Sequence, residues 1–305
     1  MLRFFLTLVF IIFIFPGSSL NSANLQKGFD SAQRGDFATA LREWTPLAEK
    51  GDELAQYNLG VMYEKGLGVS QNYKVAVKWF KLAANQGYAD AQSNLGGMYK
   101  SGLGVDRDYK SALKWFGLSA KQGYSDAQNY LGTMYKKGLG VSKNYKIALK
   151  WFELGAKQGH AIAQSNLGFM YSEGLGVKKK HKTSVDWYRL AAKQGNASSQ
   201  YNLGQKYRKG EGVKQDYKFA FKWYKLAAEQ GHAKAQANLG VLYGIGKGIS
   251  RNIVYAHMWG NVASSNGKKN GTRLMDALAK IMTPVQLDKA QNLARECVLK
   301  EYKNC

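Results

Sequence analysis

Residues 52–87 read DELAQYNLGVMYEKGLGVSQNYKVAVKWFKLAANQG, and five more blocks follow the same pattern, at 88–123, 124–159, 160–195, 196–231 and 232–267. Trp79, Trp115, Trp151, Trp187, Trp223 and Trp259 form one column at a spacing of 36 residues, and only Trp44 lies outside it. A Leu-Gly pair recurs from Leu59-Gly60 to Leu239-Gly240, a tyrosine from Tyr63 to Tyr243, and a Gly-x-Gly from Gly66 and Gly68 to Gly246 and Gly248. A fixed period of this length signals stacked supersecondary units, none of which buries its apolar face alone.

Within the quoted block a first helix is predicted over 52–65. Asp52 suits its N-cap, where a carboxylate meets unpaired amides and the positive end of the dipole. Ala55, Leu59, Met62 and Tyr63 form an apolar stripe at spacings of three and four. Gly66 then ends the helix in the left-handed position that glycine favours. Gly66 to Val69 make the turn, and Asn72 caps a second helix whose buried face is predicted as Val75, Ala76, Trp79, Phe80, Ala83 and Ala84. Gly60 sits mid-helix, where glycine costs ~1 kcal/mol relative to alanine. Its return in every block predicts close helix approach, with the facing Trp or Ala using the space. The columns therefore predict an all-α fold: a right-handed α-solenoid, or superhelix, of stacked antiparallel helix pairs without an interdomain linker.

The ends differ from the repeats, as terminal units do. Residues 24–51 read as a leading helix pair with a tighter Arg34-Gly35-Asp36 turn, and Ala40, Ala48 and Gly51 keep phase with Ala76, Ala84 and Gly87. Trp44 thus aligns with Phe80. Residues 268–305 read as a cap: a basic loop from Lys268 to Asn270, then helices over 274–282 and 284–302. Thr283 before Pro284 is an N-cap with proline at the first helical position.

Three prolines and 45% hydrophobic residues suit a helical body with a buried seam. The net charge of +23 implies attraction to anionic surfaces, polymers or acidic partners. Residues 1–23 read as a signal peptide: Arg3 supplies the positive charge, an apolar run reaches Phe15, and cleavage is expected after Ala23 or Ser19. The run falls short of the ~20 residues a span needs, and an uncleaved N-terminal anchor is the alternative. The periplasm is the expected address, with secretion beyond it also open. Cys297 and Cys305 are the only cysteines, and in an oxidising compartment a bridge between them is expected rather than two free thiols.

The block AQYNLGVMYEKGLGVSQNYKVAVKWFKLAANQG and its five successors resemble the Sel1-like repeat, a relative of the tetratricopeptide repeat. Loop, glycines and aromatics match together over 52–267, and the closing MTPVQLDKAQNLARECVLKEYKNC resembles the tail of exported bacterial members. The resemblance implies helix pairs stacked into a superhelix and scaffolding of protein complexes in the cell envelope or at host contact. It implies no shared catalytic residue. Some cysteine-rich relatives are described as weak β-lactamases, but they carry a cysteine pair per repeat, and these repeats carry none.

First helices of this repeat type are expected to line the concave face. One column there reads Asn58, Asn94, Tyr130, Asn166, Asn202 and Asn238, an amide ladder that suits an extended peptide backbone or, alternatively, bonds within the solenoid. The columns beside it vary, and Tyr57, Asn129 and Tyr201, with Phe169 and Gln205, are candidates for partner specificity. The second helices carry Lys74, Lys110, Lys146, Lys182 and Lys218 in one column and Lys78, Lys114, Lys150 and Lys222 in another, four residues on. They read either as a convex basic stripe for anionic envelope polymer or membrane, or as a solvated face that keeps the array soluble. Nucleic acid is disfavoured, because the aromatics sit at core spacing rather than on an exposed stacking platform.

Catalysis finds no constellation. His160 and His232 share a column two repeats apart, ~20 Å on helix-packing distances and too far for one metal. His181 replaces a column tyrosine, and His257 lies in the last repeat. Ser265 to Lys268 match SxxK without the accompanying KTG. The expectation is a non-enzymatic scaffold for a protein or peptide, needing no cofactor, metal or small-molecule substrate. A charge-driven envelope binder is the alternative, and a weak β-lactamase-like hydrolase a remote third.

Overall fold

The computed structural model describes residues 19–305, so most of the expected leader, 1–23, lies outside the described residues. Among the described residues there are sixteen α-helices and no strand. A leading pair, α1 (Ser19–Gln33) and α2 (Phe37–Glu49), precedes six repeat pairs. These are α3 (Glu53–Lys65) with α4 (Tyr73–Asn85), α5 (Ala89–Ser101) with α6 (Tyr109–Lys121), and α7 (Ser125–Lys137) with α8 (Tyr145–Lys157). There follow α9 (Ala161–Glu173) with α10 (His181–Lys193), α11 (Ala197–Lys209) with α12 (Tyr217–Ala228), and α13 (Ala233–Ile245) with α14 (Ile253–Ser265). Two closing helices, α15 (Lys269–Ala279) and α16 (Pro284–Leu299), pack on α14. The chain clusters into two compact units that divide after Asn144, within the third repeat.

The local chemistry explains the boundaries. The Asp52 carboxylate accepts the Ala55 amide at 2.7 Å, and Asn72 accepts the Val75 amide at 3.1 Å. Gly66 takes the left-handed conformation at φ 70° and its N–H reaches the Met62 carbonyl. Gly68, also at positive φ, must be glycine for a second reason: a Cβ would lie 2.7 Å from Phe37 Cβ. Thr283 makes a capping box with Gln286, and Pro284 opens α16. The closing region differs from expectation: α15 starts at Lys269 and ends at Ala279, so Lys269 and Asn270 are helical rather than loop.

The core corrects the reading of the tryptophan column. Trp79, Trp151, Trp187 and Trp223 are half-buried, whereas Phe80, Phe116, Phe152, Tyr188 and Tyr224, one residue on, are at most 2% exposed. Val75 is also only half-buried, and Val77 takes its place in the core. A Cβ on Gly60 would come within 2.5 Å of the Phe80 ring, and one on Gly168 within 2.8 Å of Tyr188. The helical glycine therefore admits this second aromatic, not the Trp. Trp44 and Gly28 make the equivalent contact in the leading pair, with Trp44 Nε1 donating to the Leu25 carbonyl at 3.2 Å. In the last repeat Gly260 stands at the aromatic's position, and Leu274 of α15 fills the space against Gly240.

Neighbouring pairs are joined by a ladder of glutamines. Gln86 donates to the Gly51 carbonyl at 2.8 Å and to Gln56 Oε1 at 2.9 Å, while Gln56 donates to the Ala48 carbonyl at 3.0 Å. The Gln–Gln bond recurs from Gln122 to Gln92, from Gln194 to Gln164 and from Gln230 to Gln200. Asn266 continues the ladder to Gln236, and Tyr302 closes it by donating to Asn266 Oδ1 at 3.2 Å. Cys297 and Cys305 are disulfide-bonded, which holds the segment carrying Tyr302 in a tight hook after α16.

Candidate functional site

The three columns of candidate groove residues have different fates in the two units. In the first unit they are largely engaged within the protein. Asn58 and Asn129 are buried, 2% and 6% exposed, and so are not available to a groove ligand. Asn94 hydrogen-bonds the Tyr57 hydroxyl, whose ring packs 5.1 Å from Tyr88. The Tyr130 ring lies 4.7 Å from that of Phe116, tilted to it, and carries the Lys100 ammonium at 4.6 Å from its centre. Tyr124 bonds Asp90, whose carboxyl is pushed up chiefly by burial.

In the second unit the same columns line open space. Three adjoining clefts of about 340, 300 and 460 Å³ run along α9, α11, α13 and the start of α15, and Tyr201 lines all three. Asn202 and Gln205 each line two of them, and Asn238 lines the last. Phe169, 40% exposed, borders the first cleft, and Val241, also 40% exposed, the last. Asn166 is half-buried on α9 and lines none of the three. Tyr201 is fixed from three sides: its ring stacks on His232 at 4.7 Å, lies 5.9 Å from Tyr224, and its hydroxyl accepts from Gln205 at 2.8 Å. Gln205 is in turn held by Arg208 at 3.0 Å. A rigid aromatic with oriented amides beside it gives contact area at little entropic cost.

The sequence columns missed the charges of this groove. Lys234, Lys268 and Lys269 line the last two clefts, and no carboxylate lines either. Burial first, then Lys234 and Lys268, push the His232 imidazole down from its ordinary value. Neutral His232 accepts the Ala235 amide on Nδ1 at 3.2 Å, and His160 does the same for Ala163 at 3.0 Å. These column histidines are helix caps.

A second feature hidden in the columns lies at the first cleft. Met62, Met98, Met134 and Met170 occupy one core column, and Lys206 replaces them in the fifth repeat. The Lys206 ammonium is buried and donates to Glu211 Oε2 at 2.8 Å and Ser172 Oγ at 2.9 Å, with His181 Nδ1 at 3.1 Å. Glu211 is held below the ordinary carboxylate range by that Lys206 bond above all, with Lys209 adding to it. The breaks in the Met, Tyr and Leu columns at Lys206, His181 and Glu211 are thus one polar cluster.

All nine lysines of the second-helix columns, from Lys74 to Lys222, are exposed. Beside them runs a column of exposed leucines that the sequence reading passed over: Leu82, Leu118, Leu154, Leu190 and Leu226, 37–47% exposed. Of the SxxK residues Ser265 ends α14 and Lys268 stands just before α15, and the Ser265 hydroxyl donates to the Asn261 carbonyl at 3.1 Å. Among the described residues no group of three or more His, Cys, Asp or Glu side chains is placed to hold a metal.

Comparison with known proteins places this architecture. The Sel1 repeat matches six times, at residues 54–88, 89–124, 125–160, 161–196, 197–232 and 233–268. The chain belongs to the Sel1 repeat family. A Sel1 repeat protein from Oxalobacter formigenes superposes with a TM-score of 0.73 at 32% identity, over 79% of this chain and 96% of that one. The Escherichia coli protein c5321, a protective antigen of uropathogenic strains with an SLR fold, gives 0.61 at 32% identity, over 92% of this chain and 69% of that one. A Sel1-like repeat-containing protein, L18, of Acanthamoeba polyphaga mimivirus is 46% identical over 39 residues, 13% of this chain and only 7% of that protein's length. The solenoid fold class expected from the columns is that of the family. Sel1 repeat proteins generally mediate protein–protein interactions and are generally non-catalytic scaffolds.

Proposed function

We propose that this Sel1 repeat protein is a non-enzymatic scaffold of the cell envelope that binds a protein or peptide segment along the first-helix face of its second unit. The observation that carries the reading is the run of clefts around Tyr201, where an anchored aromatic, oriented amides and exposed Phe169 and Val241 coincide. This is the mix of rigid apolar contact and adaptable polar contact that suits recognition of a protein surface. Export is supported by the leader-like composition of residues 1–23 and by the Cys297–Cys305 bridge, which belongs to an oxidising compartment. The E. coli relative's role as a protective antigen accords with it.

The test is affinity capture from envelope extract with the full chain, beside a Phe169→Ala/Val241→Ala variant shown by circular dichroism to fold. A discrete protein held by the wild type at high salt and lost on the variant is the expected result. Equal capture by both proteins counts against the groove. Fractionation against a periplasmic marker tests the address.

A second reading draws on the second-helix face. Lysines at two successive turns followed by an exposed leucine, as in Lys74, Lys78 and Leu82, make a basic and apolar surface suited to anionic lipid headgroups. Binding of that kind weakens steeply with salt. Co-sedimentation with anionic and neutral vesicles, with and without Leu82→Ser, Leu118→Ser and Leu154→Ser together, separates it from groove binding.

A further inference from the structure

We infer that the groove of the second unit selects an acidic segment, an extended stretch of a partner protein carrying Asp or Glu side chains beside an apolar one. The inference rests on the groove being a protein-binding face, and deepens it. Lys234 extends from α13 while Lys268 and Lys269 come from the start of α15, and all three border the cleft that also holds Asn238, Val241 and Tyr201. Two of the three, Lys234 and Lys268, also line the adjoining cleft with His232. No carboxylate lines either cleft, so nothing in its walls neutralises these charges.

At the far end of the groove the balance is different. Glu211 there answers Lys206 at 2.8 Å and Lys209 at 3.5 Å. The uncompensated positive charge is therefore concentrated over α13 and α15, and a segment lying along the groove meets Tyr201 in the middle and lysines at one end. His232 stays neutral as a helix cap under Tyr201, so it adds no charge and the selectivity falls to the three lysines. An acidic protein segment fits better than a lipid surface, because Tyr201 and Asn238 are half-buried in a recess that a planar headgroup layer does not enter. Opposite charges across such a surface fix register and partner choice as much as affinity.

The experiment is selection of random twelve-residue peptides on the immobilised full chain, followed by fluorescence anisotropy of enriched peptides at fixed ionic strength. Three proteins are compared: wild type, Lys234→Glu/Lys268→Glu/Lys269→Glu, and Lys74→Glu/Lys110→Glu/Lys146→Glu, which has the same net charge but alters the second-helix face. Thermal melts confirm that each folds. The expected result is enrichment of peptides rich in Asp and Glu that bind the groove variant roughly tenfold or more weakly, while the second-helix variant stays within about twofold. Equal loss on both variants means that net charge alone acts, and overturns the inference. Enrichment of neutral peptides that compete at Tyr201 and ignore the lysines overturns the acidic selectivity but keeps the groove. Peptides indifferent to both the lysine variant and Tyr201→Ala, or no enrichment at all, overturn both. Binding of anionic vesicles that is lost only on the groove variant, without peptide binding, assigns the lysines to lipid instead.

Discussion

Glu211→Leu alone should destabilise the second unit, whereas the same change combined with Lys206→Met and His181→Tyr should not. The Lys206 side chain is 6% exposed and its closest acceptor is Glu211 Oε2 at 2.8 Å. Removing the carboxylate leaves a buried ammonium with only a hydroxyl, Ser172, and an imidazole nitrogen, His181. Breaking a fully buried pair costs about 3–5 kcal/mol. Glu211 is itself 34% exposed, so water screens part of the interaction, and roughly 2–3 kcal/mol is expected here. The triple variant restores the residues that the earlier repeats hold at these positions: Met170, Tyr145 and Leu175 one repeat before. Replacing a buried ion pair by packed apolar groups is usually neutral or stabilising, so its stability should lie within about 1 kcal/mol of wild type or above it. Urea unfolding followed by circular dichroism reads the totals, and amide exchange across α11 reads the local effect. The pH dependence adds a sign. Glu211's folded pKa is depressed, so its contribution is complete above the ordinary carboxylate value of about 4.3 and is lost as pH falls through the lowered one. Wild type should therefore lose more stability than the triple variant on acidification through that window. A triple variant as unstable as Glu211→Leu, or a single variant indistinguishable from wild type, would refute the reasoning.

Adjacent glycines in α5 should respond with opposite signs. Gly96→Ala places a Cβ 2.9 Å from the buried Phe116 ring and should cost about 1–3 kcal/mol, while Gly97 has nothing within 4 Å and Gly97→Ala should stabilise by about 0.5–1 kcal/mol. Denaturant midpoints of the two variants decide this. Gln122→Ala removes bonds to the Gly87 carbonyl at 2.8 Å and Gln92 Oε1 at 2.9 Å, and should cost about 1–3 kcal/mol because the Gln92 acceptor is buried. Faster amide exchange at the start of α5 is its local signature. Cys297→Ser, or reduction, opens the closing loop, with a separation of 8 residues, and should cost about 2–3 kcal/mol on loop entropy. Loss of exchange protection in α16, with Tyr302 freed from Asn266, is the readout.

The period made the helices, caps and turns legible, because each is set by residues within one block and repeats with it. Asp52, Gly66 and Asn72 act where the columns placed them. Which of two adjacent aromatics faces the next helix was not legible, since Trp79 and Phe80 both recur and differ only by a step of ~100° around α4. The glutamine ladder was written in two columns broken only by Asn266 in the last block, yet the asparagines at Asn58 drew the reading instead. A Gln side chain at position 56 reaches carbonyls at the end of the preceding pair, and only the stacking distance reveals that reach. Glu211, Lys206 and His181 lie within 31 residues of one another but in three different columns, so their union needed the fold.

What repeats along this chain builds it, and the physics of a stacked array explains why the departures are where function gathers. A residue common to all six blocks meets the same neighbours six times, so its role is to position one pair on the next. The glutamines of the Gln56 column and the helical glycines do this in all six blocks, and the aromatics behind the tryptophans in the first five. In the first unit the variable positions are also absorbed: Tyr57 by Asn94, Tyr124 by Asp90, Tyr130 by Lys100. In the second unit Ile162, Ser198 and Lys234 stand where Asp90 and Asp126 stand earlier, and His160, Asn196, His232 and Lys268 stand where Tyr88 and Tyr124 do, so the Tyr124–Asp90 link has no counterpart there. Tyr201, Asn202 and Asn238 are left lining open clefts beside a cation. Reversing that one position, with Lys234→Asp, should replace a cation of the groove by an anion and leave the stacking glutamines untouched, which makes it a single change that separates binding from architecture.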